Sequence, residues 1–113
     1  MNVLTPGTHG STYGGNPLAS VIASTAIKVL LKENLINNSS IMGKHFRNNL
    51  LNIDHSSIIN IRGAGLFNAI EVENNNIAEK LTMQLLKNGL LTKTTRGNVI
   101  RLSPPLTLSL IHI

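Results

Sequence analysis

Cysteine is absent from this chain of 113 residues, and aromatic residues are rare, at 3%. The lack of cysteine excludes disulfide bonds, thiol catalysis and cysteine metal sites. Hydrophobic residues nevertheless make up 42% of the chain. A core must therefore be built from leucine, isoleucine and valine. No apolar run reaches the roughly 18 residues that a membrane span needs, and the first residues lack the pattern of a secretion signal. We expect no membrane partner.

The chain carries a formal charge of +5, a sign that also suits a nucleic-acid partner. The ten lysines and arginines are scattered, however, with no run of three, and few aromatic rings are available to stack on bases. We therefore predict a solvated basic surface and no nucleic-acid partner. The histidines at positions 9, 45, 55 and 112 have no mutual spacing typical of metal ligands, so we expect no metal site.

The first half of the chain predicts two helices. The first runs from Pro17 to about Lys32, with a single polar stripe that recurs every four residues, so we expect it to be buried on most of its circumference. That burial needs more protein than these 113 residues supply, which points to a missing partner. The second is predicted from about Asn37 to Asn52. Its apolar stripe consists of Met42, Phe46, Leu50 and Ile53.

The second half predicts short strands around one more helix. We expect strands at 57–61 and 66–72, separated by a turn at Arg62-Gly63-Ala64-Gly65, and then a helix from about Ile77 to Lys87. The alternation in 66–72 places Leu66, Ile70 and Val72 on one face of the strand. The spacing in the helix turns Ala78, Leu81 and Leu85 inward. Strands at 90–94 and 98–102 are predicted to form a hairpin around Arg96-Gly97. Helices combined with short strands predict an α/β fold class, arranged as an α+β layer.

Residues 9–20 contain the first candidate site. Ser11 and Thr12 precede the Gly14-Gly15 turn, and Asn16 is a good N-cap for a helix that has proline at its first position. Hydroxyls and backbone N–H groups beside a helix start suit an anion, most often a phosphate. On spacing alone, a polar turn that merely caps the helix is the favoured interpretation.

Arg101 is the second candidate, because it lies in an apolar strand that ends at two prolines. An arginine in such a strand needs an anion, and its planar fork suits a carboxylate. A solvated arginine, or one paired with a carboxylate of the protein, is equally compatible with the residues. The Arg62-Gly63-Ala64-Gly65 segment does not match a dinucleotide-binding motif, since position 68 is asparagine and a strand follows.

Residues 4–107 resemble the C-terminal part of the subgroup-III aminotransferases, which use pyridoxal phosphate. The resemblance is carried by the segments 9–19, 62–66, 88–91 and 100–106. It implies the C-terminal small domain and connecting helix of a fold type I transferase, incomplete in this chain. Residues 1–35 would then be the end of the large domain with the long connecting helix, and residues 36–113 a truncated small α/β domain. The apolar tail 108–113 departs from the acidic helix that follows in the family.

The resemblance also implies a reaction and its residues. A tyrosine after Ser11-Thr12, here Tyr13, resembles the pattern of family members that act on ornithine. The resemblance thus implies ornithine and 2-oxoglutarate as substrates, with glutamate 5-semialdehyde and glutamate as products. It also implies that the enzyme is a homodimer. Ser11 and Thr12 would bind the phosphate of the neighbouring subunit's cofactor. Arg101 would meet a substrate carboxylate or, in ornithine enzymes, a glutamate upstream of this chain.

The resemblance leaves alternatives open. A related member acting on acetylornithine or 4-aminobutyrate, or a non-catalytic remnant, would carry the same motifs. None of the six lysines has the sequence setting of the lysine that binds the cofactor covalently, which lies upstream in the family. We therefore expect the 113 residues alone to be inactive, and the longer enzyme to be intracellular, in the cytoplasm or the mitochondrial matrix.

Overall fold

A computed structural model describes residues 5–112 of the chain, and the residues of the predicted first domain and tail outside that range are not described. The chain divides into two compact units, with the boundary between Glu33 and Asn34. The assignment of the first unit to the end of a large domain stays a prediction.

The first unit contains helix α1, Pro17–Lys32, which has the predicted bounds. Its N-cap is Asn16, whose side-chain oxygen accepts a hydrogen bond from the backbone N–H of Ala19 at 3.0 Å. Among residues 5–112 none of its residues is buried, and Leu18 is 69% exposed, so the predicted burial requires protein outside this range. An apolar pattern shows which surroundings a helix suits, and the described chain does not supply them.

The second unit consists of two helices on one face of an antiparallel sheet. The helices are α2 (Leu35–Leu51) and α3 (Asn75–Lys87). The strands are β1 (Ile58–Ala64), β2 (Phe67–Val72), β3 (Lys93–Thr95) and β4 (Val99–Leu102), in the spatial order β1-β2-β4-β3. A short 3-10 helix, Leu110–His112, follows. This mixture of helices and sheet confirms the predicted fold class.

Alternating residues of β2 and β4 form the core. Ile70, Val72, Ile100 and Leu102 are buried together with Ala78 of α3. Side chains of both helices pack against this cluster, among them Phe46, Leu50, Leu81 and Leu85. The predicted inward faces of 66–72 and of α3 are therefore confirmed. Burial of these aliphatic side chains is the main stabilising contribution in this unit.

The predicted turn at Arg62-Gly63-Ala64-Gly65 is wrong. Strand β1 continues through Ala64, with Arg62 opposite Ala69 and Gly63 opposite Asn68. The chain reverses only at Gly65 and Leu66, where Gly65 has a φ of 53°. Gly65 alone supplies the positive φ that this tight hairpin needs, so Gly63 can adopt an extended conformation within β1.

The strand predicted at 90–94 begins later, at Lys93. Leu90 instead closes α3, because its N–H donates a hydrogen bond to the carbonyl of Leu85 at 2.8 Å. Gly89, with a φ of 85°, makes this helix ending possible. The hairpin around Arg96-Gly97 is confirmed, and these two residues of its three-residue loop have positive φ.

A polar clamp, formed by Arg47 and Asn68, fastens the β1–β2 hairpin to α2. The Arg47 Nη1 atom donates hydrogen bonds to the carbonyl of Gly65 at 2.8 Å and to the side-chain oxygen of Asn68 at 2.7 Å. Asn68 is 1% exposed, and it lies on the core face of β2. The charged guanidinium satisfies the buried Asn68 oxygen with a strong hydrogen bond, whereas the Asn68 side-chain nitrogen is buried without a partner among residues 5–112.

Asn98 joins the β3–β4 hairpin to the end of β2. Its side-chain amide donates to the carbonyl of Val72 at 2.8 Å, while its own carbonyl accepts from the Val72 N–H at 3.0 Å. We expect Asn98→Ala to lower the free energy of unfolding by about 1 kcal/mol, because one partly buried carbonyl loses its donor. Urea denaturation measures this. Asn60→Ala is the control, since Asn60 is exposed, and an equal loss in both variants would contradict the assignment.

Candidate functional site

Four residues form one row across the outer face of the sheet, the face away from the core. Arg62 on β1 lies opposite Ala69 on β2, Ala69 lies opposite Arg101 on β4, and Arg101 lies opposite Lys93 on β3. Directly opposed residues of antiparallel strands project to the same side of the sheet. Three cationic side chains therefore share this face, with the small Ala69 between two of them.

Arg101 is exposed and lines an open depression of about 410 Å³ on this face, together with Arg62, Phe67 and Arg96. Its backbone is held by Thr92, whose hydroxyl donates to the Arg101 carbonyl at 2.7 Å. Residues 5–112 form one ion pair, between Arg62 and Glu71. No carboxylate of these residues lies within 4.0 Å of the Arg101 guanidinium. Pairing of Arg101 with a carboxylate of the described chain is thus excluded.

Ser11 and Thr12 belong to the first unit, where they precede α1. The turn is closed by hydrogen bonds from the N–H of Gly14 to the carbonyl of Ser11 at 3.3 Å and from the N–H of Asn16 to the carbonyl of Tyr13 at 3.0 Å. Both hydroxyls are exposed, and neither forms a hydrogen bond with another residue in the range 5–112. They are free to bind an external acceptor.

The segment fits the edge of a phosphate site. Each hydroxyl can donate one hydrogen bond to a phosphate oxygen, and the turn that follows them leads into the N-terminus of α1 at Pro17, where the helix dipole favours negative charge. Between residues 5 and 27 there is no lysine or arginine. This segment can therefore supply hydrogen bonds to a phosphate, whereas the cation that balances its charge must come from elsewhere.

The predicted site residues fall on two different units. Ser11 and Thr12 lie in the unit that ends at Glu33, and Arg101 lies in the unit that begins at Asn34. Within residues 5–112, no group of three acidic or histidine side chains is placed to hold a metal ion. Over the same range, no helix combines the length and the apolar character needed to cross a bilayer.

The pattern of the family described as Aminotransferase class-III matches residues 1–113, the whole of the chain. The chain belongs to the class-III aminotransferases. Its curated relatives include ornithine aminotransferase 1 of Staphylococcus aureus strain MRSA252, which is 50% identical over 108 residues. The matched part is 96% of this chain and 27% of that relative. This class-III chain therefore spans between a quarter and a third of the length of the relative.

Two solved aminotransferase structures are similar to the chain in fold and sequence. One is ornithine aminotransferase from Toxoplasma gondii, described with partial occupancy of PLP at its active site, at a TM-score of 0.83 and 45% identity. The matched part is 99% of this chain and 28% of the solved chain. The other is acetylornithine aminotransferase from Elizabethkingia anophelis, at a TM-score of 0.83 and 40% identity, covering 99% and 30% respectively.

Sequence reasoning missed the position of Lys93 in this class-III aminotransferase chain. A hairpin around Arg96-Gly97 was predicted, but the pairing of Lys93 with Arg101 depends on a three-residue loop that sets Thr95 opposite Val99. It also missed the clamp between Arg47 and Asn68. The available signal was Asn68 itself, a polar residue at an inward position of an otherwise apolar strand face, which had to find a partner.

Proposed function

We propose that this chain forms part of an enzyme that transfers the δ-amino group of ornithine to 2-oxoglutarate. The products are glutamate 5-semialdehyde and glutamate, and the cofactor is pyridoxal phosphate. The observation that carries the proposal is the family match over residues 1–113. The ornithine assignment is supported by the 50% identity to a relative of that name.

Arg101 is proposed to bind a substrate carboxylate. It is exposed in a depression that also holds Phe67, and no carboxylate of residues 5–112 pairs with it. Its guanidinium can form two parallel hydrogen bonds to a carboxylate, which fixes the orientation of the substrate as well as its position. Orientation of this kind lowers the entropy cost of reaching the reactive geometry.

Ser11 and Thr12 are proposed to bind the phosphate of a cofactor held by the second subunit of a homodimer. Pyridoxal phosphate, when bound, supplies the electron-withdrawing ring system on which the amino transfer depends. The two hydroxyls of this chain would position the cofactor through its phosphate. The lysine that binds the ring covalently is proposed to lie upstream, so the 113 residues alone would be inactive.

A related activity on acetylornithine is the second candidate. The 40% identity and the TM-score of 0.83 to an acetylornithine aminotransferase favour it. A specificity for 4-aminobutyrate, or a non-catalytic remnant, also remains compatible with the family.

For all the enzymatic candidates we propose an intracellular location, in the cytoplasm or the mitochondrial matrix, since a chain without cysteine is suited to a reducing compartment.

The deciding experiment is expression of the longer polypeptide encoded around this chain. The product is assayed with ornithine, acetylornithine and 4-aminobutyrate as amino donors and 2-oxoglutarate as acceptor. Preferred turnover of ornithine would support the proposal, and preferred turnover of another donor would replace it. An absence of turnover with all three donors, or stop codons close to both ends of the chain, would favour the remnant.

A chimeric enzyme tests the competence of this chain's own residues. In it, the chain replaces the matching 27% of Staphylococcus aureus ornithine aminotransferase 1. We expect the double variant Ser11→Ala, Thr12→Val to weaken cofactor binding about tenfold or more, because two hydrogen bonds to a charged phosphate are lost. Cofactor titration, followed by absorbance, measures this.

The control for that measurement is Ser24→Ala, on the polar stripe of α1. Ser24 is exposed, and it lies away from the turn that precedes the helix. Cofactor affinity of the control should match that of the unmodified chimera. An unchanged affinity in the Ser11→Ala, Thr12→Val variant would remove these two residues from the cofactor site.

A further inference from the structure

Asn88 and Gly89 form the only Asn-Gly sequence in the chain. Both residues are exposed and lie at the end of α3, where Asn88 is the C-cap. The backbone nitrogen that follows an asparagine can attack the carbonyl carbon Cγ of the asparagine side chain. Glycine in the second position makes this attack easiest, because it has no Cβ to hinder the approach or to restrict the backbone. The chain therefore has one position that is chemically suited to the loss of its side-chain amide.

The folded helix end holds the two reacting groups in other contacts. The Asn88 side-chain amide donates a hydrogen bond to the carbonyl of Gln84 at 2.8 Å, one turn back along the helix. The N–H of Gly89 donates to the carbonyl of Leu86 at 3.0 Å. Attack requires the Gly89 nitrogen to lose its proton, and a proton shared with a carbonyl is harder to remove. Both hydrogen bonds must therefore break before the reaction can begin.

The backbone conformation of Asn88 imposes the same restriction. Its ψ of 14° nearly eclipses the Gly89 nitrogen with the backbone nitrogen of Asn88, which turns the Gly89 nitrogen away from the Asn88 side chain. A five-membered ring that joins this nitrogen to Cγ requires the nitrogen to eclipse Cβ instead. The necessary rotation would displace Leu90, whose N–H donates to the carbonyl of Leu85 at 2.8 Å. Ring closure and the ordered helix end therefore exclude each other.

We propose that Asn88-Gly89 is a deamidation site that reacts only when the last turn of α3 opens. In the open state the Gly89 nitrogen loses its proton and forms a bond to Cγ of Asn88. The bond between Cγ and Nδ2 breaks, and the amide group takes up the proton and leaves as ammonia. Water then opens the resulting succinimide at either carbonyl, which gives aspartate or isoaspartate at position 88. The reaction consumes one water and releases one ammonia, and it does not depend on the proposed function.

The product does not restore the original helix end. An aspartate at position 88 places a negative charge beside the last carbonyls of α3, where the helix dipole disfavours it. This side chain also has no N–H to donate to the carbonyl of Gln84. Isoaspartate adds one atom to the main chain before Gly89, so the N–H groups of Gly89 and Leu90 no longer align with their acceptors. Deamidation is therefore a permanent record that this helix end has opened.

The first test compares the reaction rate in the folded and the unfolded chain. The full 113-residue chain is incubated at mildly alkaline pH with and without concentrated guanidinium chloride, then digested and analysed by peptide mass spectrometry. We expect deamidation at position 88 to be at least about tenfold slower in the folded chain, because an ordered helix end is open for only a fraction of the time. Equal rates with and without denaturant would overturn the proposal.

Hydrogen exchange makes this test quantitative. Exchange of the Gly89 N–H with solvent measures the fraction of time during which its hydrogen bond to Leu86 is open. The deamidation rate of the folded chain, divided by the rate in denaturant, should match that fraction. A ratio well above the open fraction would show that attack occurs within the closed helix end, against the proposal.

A variant that opens the helix end should accelerate the reaction. Leu90→Pro removes the N–H that donates to Leu85 and leaves the Asn88-Gly89 pair unchanged. Relative to its own rate in denaturant, this variant should react about fivefold faster than the unmodified chain, the effect expected for one lost backbone hydrogen bond. Leu91→Ala is the control, because Leu91 is exposed and its N–H is retained. Equal relative rates in the Leu90 and Leu91 variants would contradict gating by the helix end.

The same measurements can be made on the chimeric enzyme, which carries the same helix end. Failure of the chimera to catalyse transamination would count against the proposed function and would leave the deamidation result intact. An Asn88 that stays unmodified in denaturant would overturn the deamidation site and would leave the proposed function intact.

Discussion

Replacement of Gly43 by alanine is expected to destabilise the second unit strongly. A Cβ atom at this position would overlap the carbonyl group of Gly65, in the turn between β1 and β2. Both colliding groups are attached directly to backbone, so no side-chain rotation can relieve the overlap. The hairpin would have to move away from α2.

That movement would break the contacts that hold the turn. The N–H of Leu66 donates to the Ser39 hydroxyl at 3.0 Å, and the Gly65 carbonyl accepts from Arg47 at 2.8 Å. Loss of these bonds would leave partly buried polar groups without partners, which costs more than the bonds contribute when formed. Asn68 would also lose its charged partner, because it shares the Arg47 guanidinium.

The expected size of the effect follows from two opposing contributions. Alanine in place of glycine stabilises a helix interior by up to about 1 kcal/mol. Overpacking against an immovable neighbour costs about 3 kcal/mol or more. A net loss of this order lowers the Tm of a domain of this size by about 10 °C.

Thermal unfolding, followed by circular dichroism, measures the change. Ser40→Ala is the matched control, because Ser40 lies on α2, is exposed and precedes the contact by less than one turn. It should be neutral or slightly stabilising. A Gly43→Ala variant as stable as Ser40→Ala would show that the hairpin does not dock on α2 in the way described.

The periodic parts of the fold were predictable from sequence because they depend on local patterns. The alternation in 66–72 identified the inward residues Ile70 and Val72, and the spacing in α3 identified Ala78 and Leu81. Asn16 identified the start of α1, since the N-cap is a local hydrogen bond. Each of these features is decided by residues fewer than eight positions apart.

Features that depend on long-range packing were not predictable in the same way. The Gly63 and Gly65 pair was interpreted as one turn, but Gly63 lies within β1, where a Cβ atom would overlap Asn68. Similarly, Gly43 was given no role, because nothing in its helical neighbourhood indicates that another backbone approaches it. Glycine gives a sequence no apolar or polar signal by which to detect such contacts.

The candidate site was predictable in its residues and unpredictable in its register. Arg101 was identified from one arginine in an apolar strand, and Ser11 and Thr12 from a polar turn before a helix. The neighbour of Arg101 could not be assigned, because a loop shorter by one residue would place Lys93 opposite Ile100 instead. A change of one residue in register moves a side chain to the opposite face of the sheet, so the charge arrangement depends on the loop.

Arg101→Gln is expected to lower kcat/KM for 2-oxoglutarate by a factor of about 100 to 1,000 in the chimeric holoenzyme. Truncation of one partner of a charged, bidentate pair costs about 2 to 5 kcal/mol when the site excludes water, and this cost appears directly in kcat/KM. Arg101→Lys should recover little of the loss, because an ammonium group cannot form two parallel hydrogen bonds to one carboxylate. Steady-state kinetics with each substrate varied in turn measures these effects.

Arg62→Gln is the matched control, since Arg62 lies in the same row but is paired with Glu71. That pair is half exposed, and removal of such a pair costs at most about 1 kcal/mol, so the control should change kcat/KM less than tenfold. Equal losses for the Arg62 and Arg101 variants would indicate that the row attracts anions only through its general positive field. Arg62 and Arg101 each lie one strand away from Ala69, so removal of either charge changes the long-range electrostatic field by nearly the same amount. A loss confined to the Arg101 variant therefore requires direct contact between Arg101 and the substrate.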